Sequence, residues 1–98
     1  MEIELNRDNT SLVVNVKGEL NTSTAPEFEK QVFPSLDGIT DLVLDFKDLI
    51  YISSAGLRII LVLYRVMDKQ GKMKIINVGE SPKSVFDMTG FSSVLDIE

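Results

Sequence analysis

The chain contains no cysteine, no histidine and no tryptophan. Without cysteine there is neither a disulfide framework nor a thiolate site. Without histidine the usual general base near neutral pH is missing, together with the commonest metal ligand. No cofactor and no metal site is expected. Positive charge is also sparse: ten Lys and Arg, scattered singly, stand against fifteen Asp and Glu, for a net charge of −5. A surface of that kind offers no basis for nucleic-acid binding through phosphate neutralisation. Long apolar runs are missing as well. The longest, Ile59 to Tyr64, is far short of the ~18 residues that mark a membrane span, so no membrane insertion is expected. The first residues, Met1-Glu2-Ile3-Glu4, carry acid where a signal peptide is basic and apolar. Neither G-x-x-x-x-G-K-[S/T] nor G-x-G-x-x-G occurs, which removes the phosphate-cradling loops. A cytoplasmic, non-enzymatic module is the expectation.

What is present is ordinary globular material. The 98 residues, 44% hydrophobic and 26% charged, suit a single domain over 1–98 with one core. Glu2 to Asn6 alternates polar and apolar, Asp8-Asn9 signals a turn, and Ser11 to Lys17 reads as a second strand closed by Gly18. The pair makes an opening hairpin. A polar loop, Glu19 to Thr24, leads to a helix with Pro26 just inside its start, an apolar face of Phe28, Val32, Phe33 and Leu36, and a stop at Asp37-Gly38. Leu42 to Phe46 reads as a central strand continuing irregularly through Leu49-Ile50-Tyr51. A long helix starts at Ser53 or Ser54 and stops at Gly71. Met73 to Val78 is a strand, Ser81-Pro82 caps a short helix ending at Gly90, and Val94 to Ile97 adds a last strand. The order β-β-α-β-α-β-α-β predicts an α/β fold, a mixed sheet with helices packed against it.

The densest signal is Ile52-Ser53-Ser54-Ala55-Gly56-Leu57, where an apolar strand-like run gives way to an apolar helix-like run. A helix start presents unpaired N–H groups and the positive end of the macrodipole, so it accepts negative charge. A serine there is either an ordinary cap or a chemically suitable phosphate acceptor. Within the long helix Leu57, Ile60, Leu61 and Tyr64 satisfy helical spacing and are expected to face the sheet, which leaves Ile59, Val62 and Leu63 for a neighbouring element or a partner. Ser54, Arg58 and Arg65, with Val62 between the arginines, fall on the opposite, exposed side. Asp45 and Asp48 are three apart and offer paired carboxylates, with Asp87 at an undetermined distance from them. A strand-end carboxylate capping a neighbouring loop is the simpler reading of Asp45, and no catalysis is expected.

Taken in order, these segments resemble a family. Asp45-Phe46, then Leu49 through Ser54-Ala55-Gly56-Leu57, is similar to the bacterial anti-sigma factor antagonists, the small single-module members of the STAS domain family. Gly18-Glu19-Leu20, Asn77-Val78, and Ser81-Pro82 with Val85 to Phe91 agree with it in the right order. The resemblance implies the STAS-like mixed sheet and a phosphorylation site at Ser54, with Ser53 as the alternative acceptor. It implies that Gly56 permits close approach at the helix start and that Leu57 anchors the helix. The implied partner surface comprises Asn21, Thr22, Ser23 and Thr24, then Ser53, Ala55, Gly56 and Arg58, and the exposed side of the long helix. The implied partners are an anti-sigma factor that is itself a serine kinase and a phosphatase that reverses it, in a partner switch regulating transcription indirectly. STAS-like modules also serve as non-switching scaffolds in signalling assemblies or as subunits of lipid transporters, the alternative function. Two positions depart from the family pattern. Ser53 stands where Asp usually precedes the acceptor, and Asn21 where Asp is frequent, so negative charge near the acceptor is lower. The final helix of longer members is expected to have no counterpart, since the chain ends at Glu98.

Overall fold

The computed structural model describes all 98 residues. Strand β1 (Glu2–Asp8) pairs antiparallel with β2 (Ser11–Leu20) as the expected hairpin, turning at Asn9 with φ 60°. Helix α1 (Ala25–Val32) carries Pro26 in its first turn and runs into a 3-10 turn, Phe33–Leu36. Strand β3 (Asp41–Asp45) lies parallel to β2, and β5 (Lys72–Ile76) lies parallel to β3. The stretch expected to prolong the central strand is a separate strand, β4 (Leu49–Ile52), paired parallel with the end of β2. Helix α2 (Ser54–Asp68) connects β4 to β5, and α3 (Glu80–Thr89) follows.

β2 thus serves two neighbours on one edge, β3 along its first half and β4 along its last residues. The change of partner occurs at a register shift between Gly18 and Glu19. Gly18 sits at φ +104°, a conformation side chains avoid, and its N–H reaches the Asp48 carbonyl at 3.0 Å. A bulge bends a strand and re-aims it. Here it delivers Leu20 to the start of α2.

One face of the sheet is buried. Leu12, Val14 and Val16 of β2, Leu42 and Leu44 of β3, and Met73 and Ile75 of β5 join residues of α1 and α2 in a single cluster, to which α3 adds Phe86. The alternate residues Val13 and Lys17 are exposed, the one-sided pattern of a two-layer sheet. No helix is long and apolar enough to cross a membrane.

Three expectations need correction. The sheet-facing stripe of α2 is Gly56, Leu57, Ile60, Leu63 and Met67; Leu61 and Tyr64 are only half-buried. The stripe is anchored on Gly56, which has no side chain to register in a hydrophobic pattern, so a count from Leu57 drifts to the wrong side. Val94 to Ile97 is not a strand: a 3-10 turn (Phe91–Ser93) intervenes, and only Ile97 bridges, parallel, to Ile75. Buried Leu95 fixes that tail to the core while Val94 is exposed. The cap of α3 is Gly79 rather than Ser81, although Gly90 ends the helix as expected, at φ 79°. The corrected stripe has a measurable consequence. Leu63→Ala should lower unfolding stability by about 2–5 kcal/mol in urea titration, and Leu61→Ala should cost clearly less; equal losses would contradict this facing.

Candidate functional site

The site forms where the end of β2 meets the start of α2. The Ser53 amide donates to the Leu20 carbonyl at 2.9 Å. Ser53 then adopts the extended conformation of an N-cap, and its Oγ accepts from the Gly56 amide at 3.3 Å. A Cβ on Gly56 would lie 2.6 Å from the Leu20 oxygen and 2.8 Å from Ile52 Cγ1. Only glycine fits without displacement, so the close approach expected of this position is present in the geometry. Gly56 itself is buried, so, contrary to expectation, it supports the partner surface from beneath and is not part of it.

The two serines therefore differ. Ser53 is half-buried with its hydroxyl engaged as the cap. Ser54 is the first helical residue, is exposed, and its hydroxyl makes no hydrogen bond. The amides of Ser54 and Ala55 belong to the first turn and have no intrahelical acceptor. No acidic residue occupies that turn. Arg58, Val62 and Arg65 are exposed along the same side, as the helical spacing predicts.

The residue after Leu20 begins the second wall. Asn21 Oδ1 accepts from the amides of Ser23 at 2.9 Å and Thr24 at 3.1 Å. The Thr24 hydroxyl accepts from the Asn21 amide at 2.8 Å and donates to the Glu19 carbonyl at 2.9 Å. This reciprocal pair works as a capping box does and holds the turn rigidly ahead of α1. Thr22 and Ser23 are left exposed at its tip.

Two shallow grooves flank the outer ridge of α2. One, between α1 and α2, is lined by Thr22, Ala25, Pro26, Ala55, Ile59 and Val62 with Glu29 and Arg58 at its edge. The other, between α2 and the 3-10 turn after α3, is lined by Ser54, Leu57, Arg58, Leu61, Thr89 and Phe91. The structure gathers Asn21, Thr22, Ser23, Thr24, Ser53, Ser54, Ala55 and Arg58 at one end of the molecule, around buried Gly56. Sequence reasoning missed Thr89 and Phe91. An aromatic just past a helix-ending glycine was the available signal, since such residues commonly fold back onto the helix they follow.

The carboxylates weighed for chemistry are elsewhere. Asp45 Oδ1 accepts from the Lys47 amide and from Asn77 Nδ2, each at 3.1 Å, and so caps the loop after β3. Asp87 is exposed on α3. Its carboxyl is held below the ordinary aspartate value, first by the Ser92 hydroxyl; burial opposes this, and the hydrogen bond and charge of Lys83 add further lowering.

With this geometry in view, comparison with known proteins is decisive. The family model for the STAS domain matches residues 2–98. The chain belongs to the STAS domain family. The anti-sigma-B factor antagonist of Bacillus subtilis is 28% identical over 98 residues, covering 99% of this chain and 90% of that protein. Among solved structures, an anti-sigma factor antagonist from Mycobacterium paratuberculosis superposes with a TM-score of 0.89 at 23% identity, over 98% of this chain and 83% of that one. SpoIIAA, an anti-sigma factor antagonist, has the same fold in its unphosphorylated form (TM-score 0.77, 17% identity, 99% of this chain and 87% of that one) and in its phosphorylated form (TM-score 0.76, 17% identity, 99% and 91%). The STAS fold, the mixed sheet with its opening hairpin, is thus the one expected from the sequence.

Three outcomes follow from the geometry. Gly56→Ala should destabilise by about 1–3 kcal/mol through overpacking against Leu20, and Ser53→Ala by about 1 kcal/mol through loss of the cap; chemical denaturation measures both. Carbon-13 titration of Asp87 should show a value below that of an ordinary aspartate, rising in Ser92→Ala. Because the folded value is the depressed one, the stabilisation from this carboxylate is present above the unfolded value. It disappears as pH falls through the folded one.

Proposed function

We propose that the chain is an anti-sigma factor antagonist whose partner binding is switched by reversible phosphorylation of Ser54. In this reading it is a cytoplasmic, non-catalytic regulator. A serine-kinase anti-sigma factor transfers the γ-phosphoryl group of a nucleoside triphosphate to Ser54 Oγ; the hydroxyl proton is lost and the nucleoside diphosphate departs. A phosphatase hydrolyses the ester. The unmodified form binds the kinase and frees the sigma factor, so transcription is regulated indirectly.

The observation that carries this reading is the division of labour at the helix start. Ser53 is committed to the Gly56 amide, whereas Ser54 presents an unbonded, exposed hydroxyl one residue later. Similarity to an anti-sigma-B factor antagonist supports the partner class. The surface around Ser54 adds apolar contact from Ile59, Val62 and Leu61, beside hydroxyls and a guanidinium. A phosphate would add about −1.5 to −2 charges there. A partner that must desolvate the patch would then face an uncompensated charge, and that is costly.

Incubation with the cognate kinase should add one phosphate to the wild-type chain, seen by mass spectrometry, to Ser53→Ala as well, and none to Ser54→Ala. Modification of Ser54→Ala would move the acceptor elsewhere. Ser54→Asp should weaken kinase binding at unchanged far-UV circular dichroism; wild-type affinity would refute rejection by charge. Recovery of transporter subunits in place of a kinase would redirect the function to the scaffold class.

A further inference from the structure

The geometry points to Arg58 as the residue through which the state of Ser54 is read. In the unmodified chain it seats a carboxylate of the partner; in the phosphorylated chain the phosphate takes the guanidinium for itself. This inference rests on the proposed switch and adds the group that transmits it.

Arg58 is the only side chain that borders both grooves of α2. On one side lie Ala25, Pro26, Ile59 and Val62, and on the other Leu57, Leu61 and Phe91. A cation on a ridge between two apolar troughs describes its complement: an acidic side chain flanked by apolar ones that enter the troughs. The guanidinium is available for such a group. The ion pairs of the molecule are Lys74–Glu98 and Lys83–Asp87, and neither involves Arg58. Glu29 stands across the α1 groove without forming a pair with it. Arg65 on the same side of α2 is unpaired too, but only Arg58 sets its cation between two apolar walls on a chain of net charge −5. Long-range attraction of an acidic partner would be opposed by the rest of the surface, so the recognition is local, through a desolvated pair.

Ser54 and Arg58 line the same groove and are one helical turn apart. Residues at that spacing are neighbours on the helix surface, and guanidinium and phosphate make strong bidentate pairs. The phosphate is tethered where the partner carboxylate is not, so it competes at a high effective concentration. Phosphorylation therefore removes the cation from the ridge as well as adding negative charge.

The test uses the full chain with phosphoserine installed at position 54 by codon reassignment, which requires no kinase. Phosphorus-31 titration should place the second ionisation of the phosphate about one pH unit lower in the wild-type background than in Arg58→Gln. Identical titrations would overturn the pairing whether or not Ser54 is a physiological acceptor. Binding of the unmodified chain to the serine-kinase anti-sigma factor that phosphorylates it should weaken about thirtyfold or more in Arg58→Gln, with unchanged far-UV circular dichroism. Ser54→Asp should then cost little more in that background. If Ser54→Asp costs as much in Arg58→Gln as in wild type, Arg58 is not the reader, and the switch at Ser54 stands without it.

Discussion

The backbone carbonyl of Leu20 is the point on which the site depends. It accepts the Ser53 amide, it lies against Gly56, and the residue after it opens the Asn21–Thr24 turn. A single peptide unit at the end of one strand therefore fixes the entry of the long helix and the origin of the adjacent loop. Neither wall could shift alone without breaking a buried hydrogen bond or forcing two backbones together. Its location is in turn a product of the bulge at Gly18, which hands β2 from β3 to β4. Backbone geometry far from the exposed serine thus determines where that serine stands.

The polar groups holding this junction are neutral. Ser53 caps with a hydroxyl and Asn21 with an amide. A carboxylate could accept the same N–H groups, so the local geometry tolerates either chemistry. What changes is charge. An anion in the first turn of a helix is favoured by about 0.3–1 kcal/mol through the macrodipole, and here that position is vacant of acid. The first turn of α2 consequently keeps its electrostatic preference for whatever anion arrives.

Much of this was legible in the residues. Alternation in Glu2 to Asn6 and Ser11 to Lys17 announced the hairpin, and Pro26 and Gly90 marked a helix start and a helix end. The ordered segments around Ser54 announced the family before any coordinates. Failures occurred where the cause was non-local. The stripe on α2 was misjudged because its first member, Gly56, is defined by contact with Leu20 rather than by hydrophobicity. β4 was merged with β3 because nothing in Leu49-Ile50-Tyr51 says that the strand pairs with β2 beyond a bulge. The tail from Val94 read as a strand by composition, yet sheet pairing there consists of one bridge to Ile75. At the site, the distinction between Ser53 and Ser54 needed the Gly56 amide, and the second groove needed Phe91 brought back from the far end of α3.

These magnitudes decide where a switch at this junction can act. A phosphate on Ser54 would interact with a solvent-exposed helix end, where electrostatic effects on the fold amount to roughly 1 kcal/mol. The core beneath it consists of Leu20, Ile52, Leu57 and Ile60, none of which touches solvent appreciably. Folding stability is therefore a poor lever. Burying the same charge under a partner without compensation costs several kcal/mol per ion, enough to change an affinity by orders of magnitude. The asymmetry follows from one structural fact, that Ser53 serves the fold while Ser54 serves the surface. A fold built this way could take a charge at its surface and keep its shape.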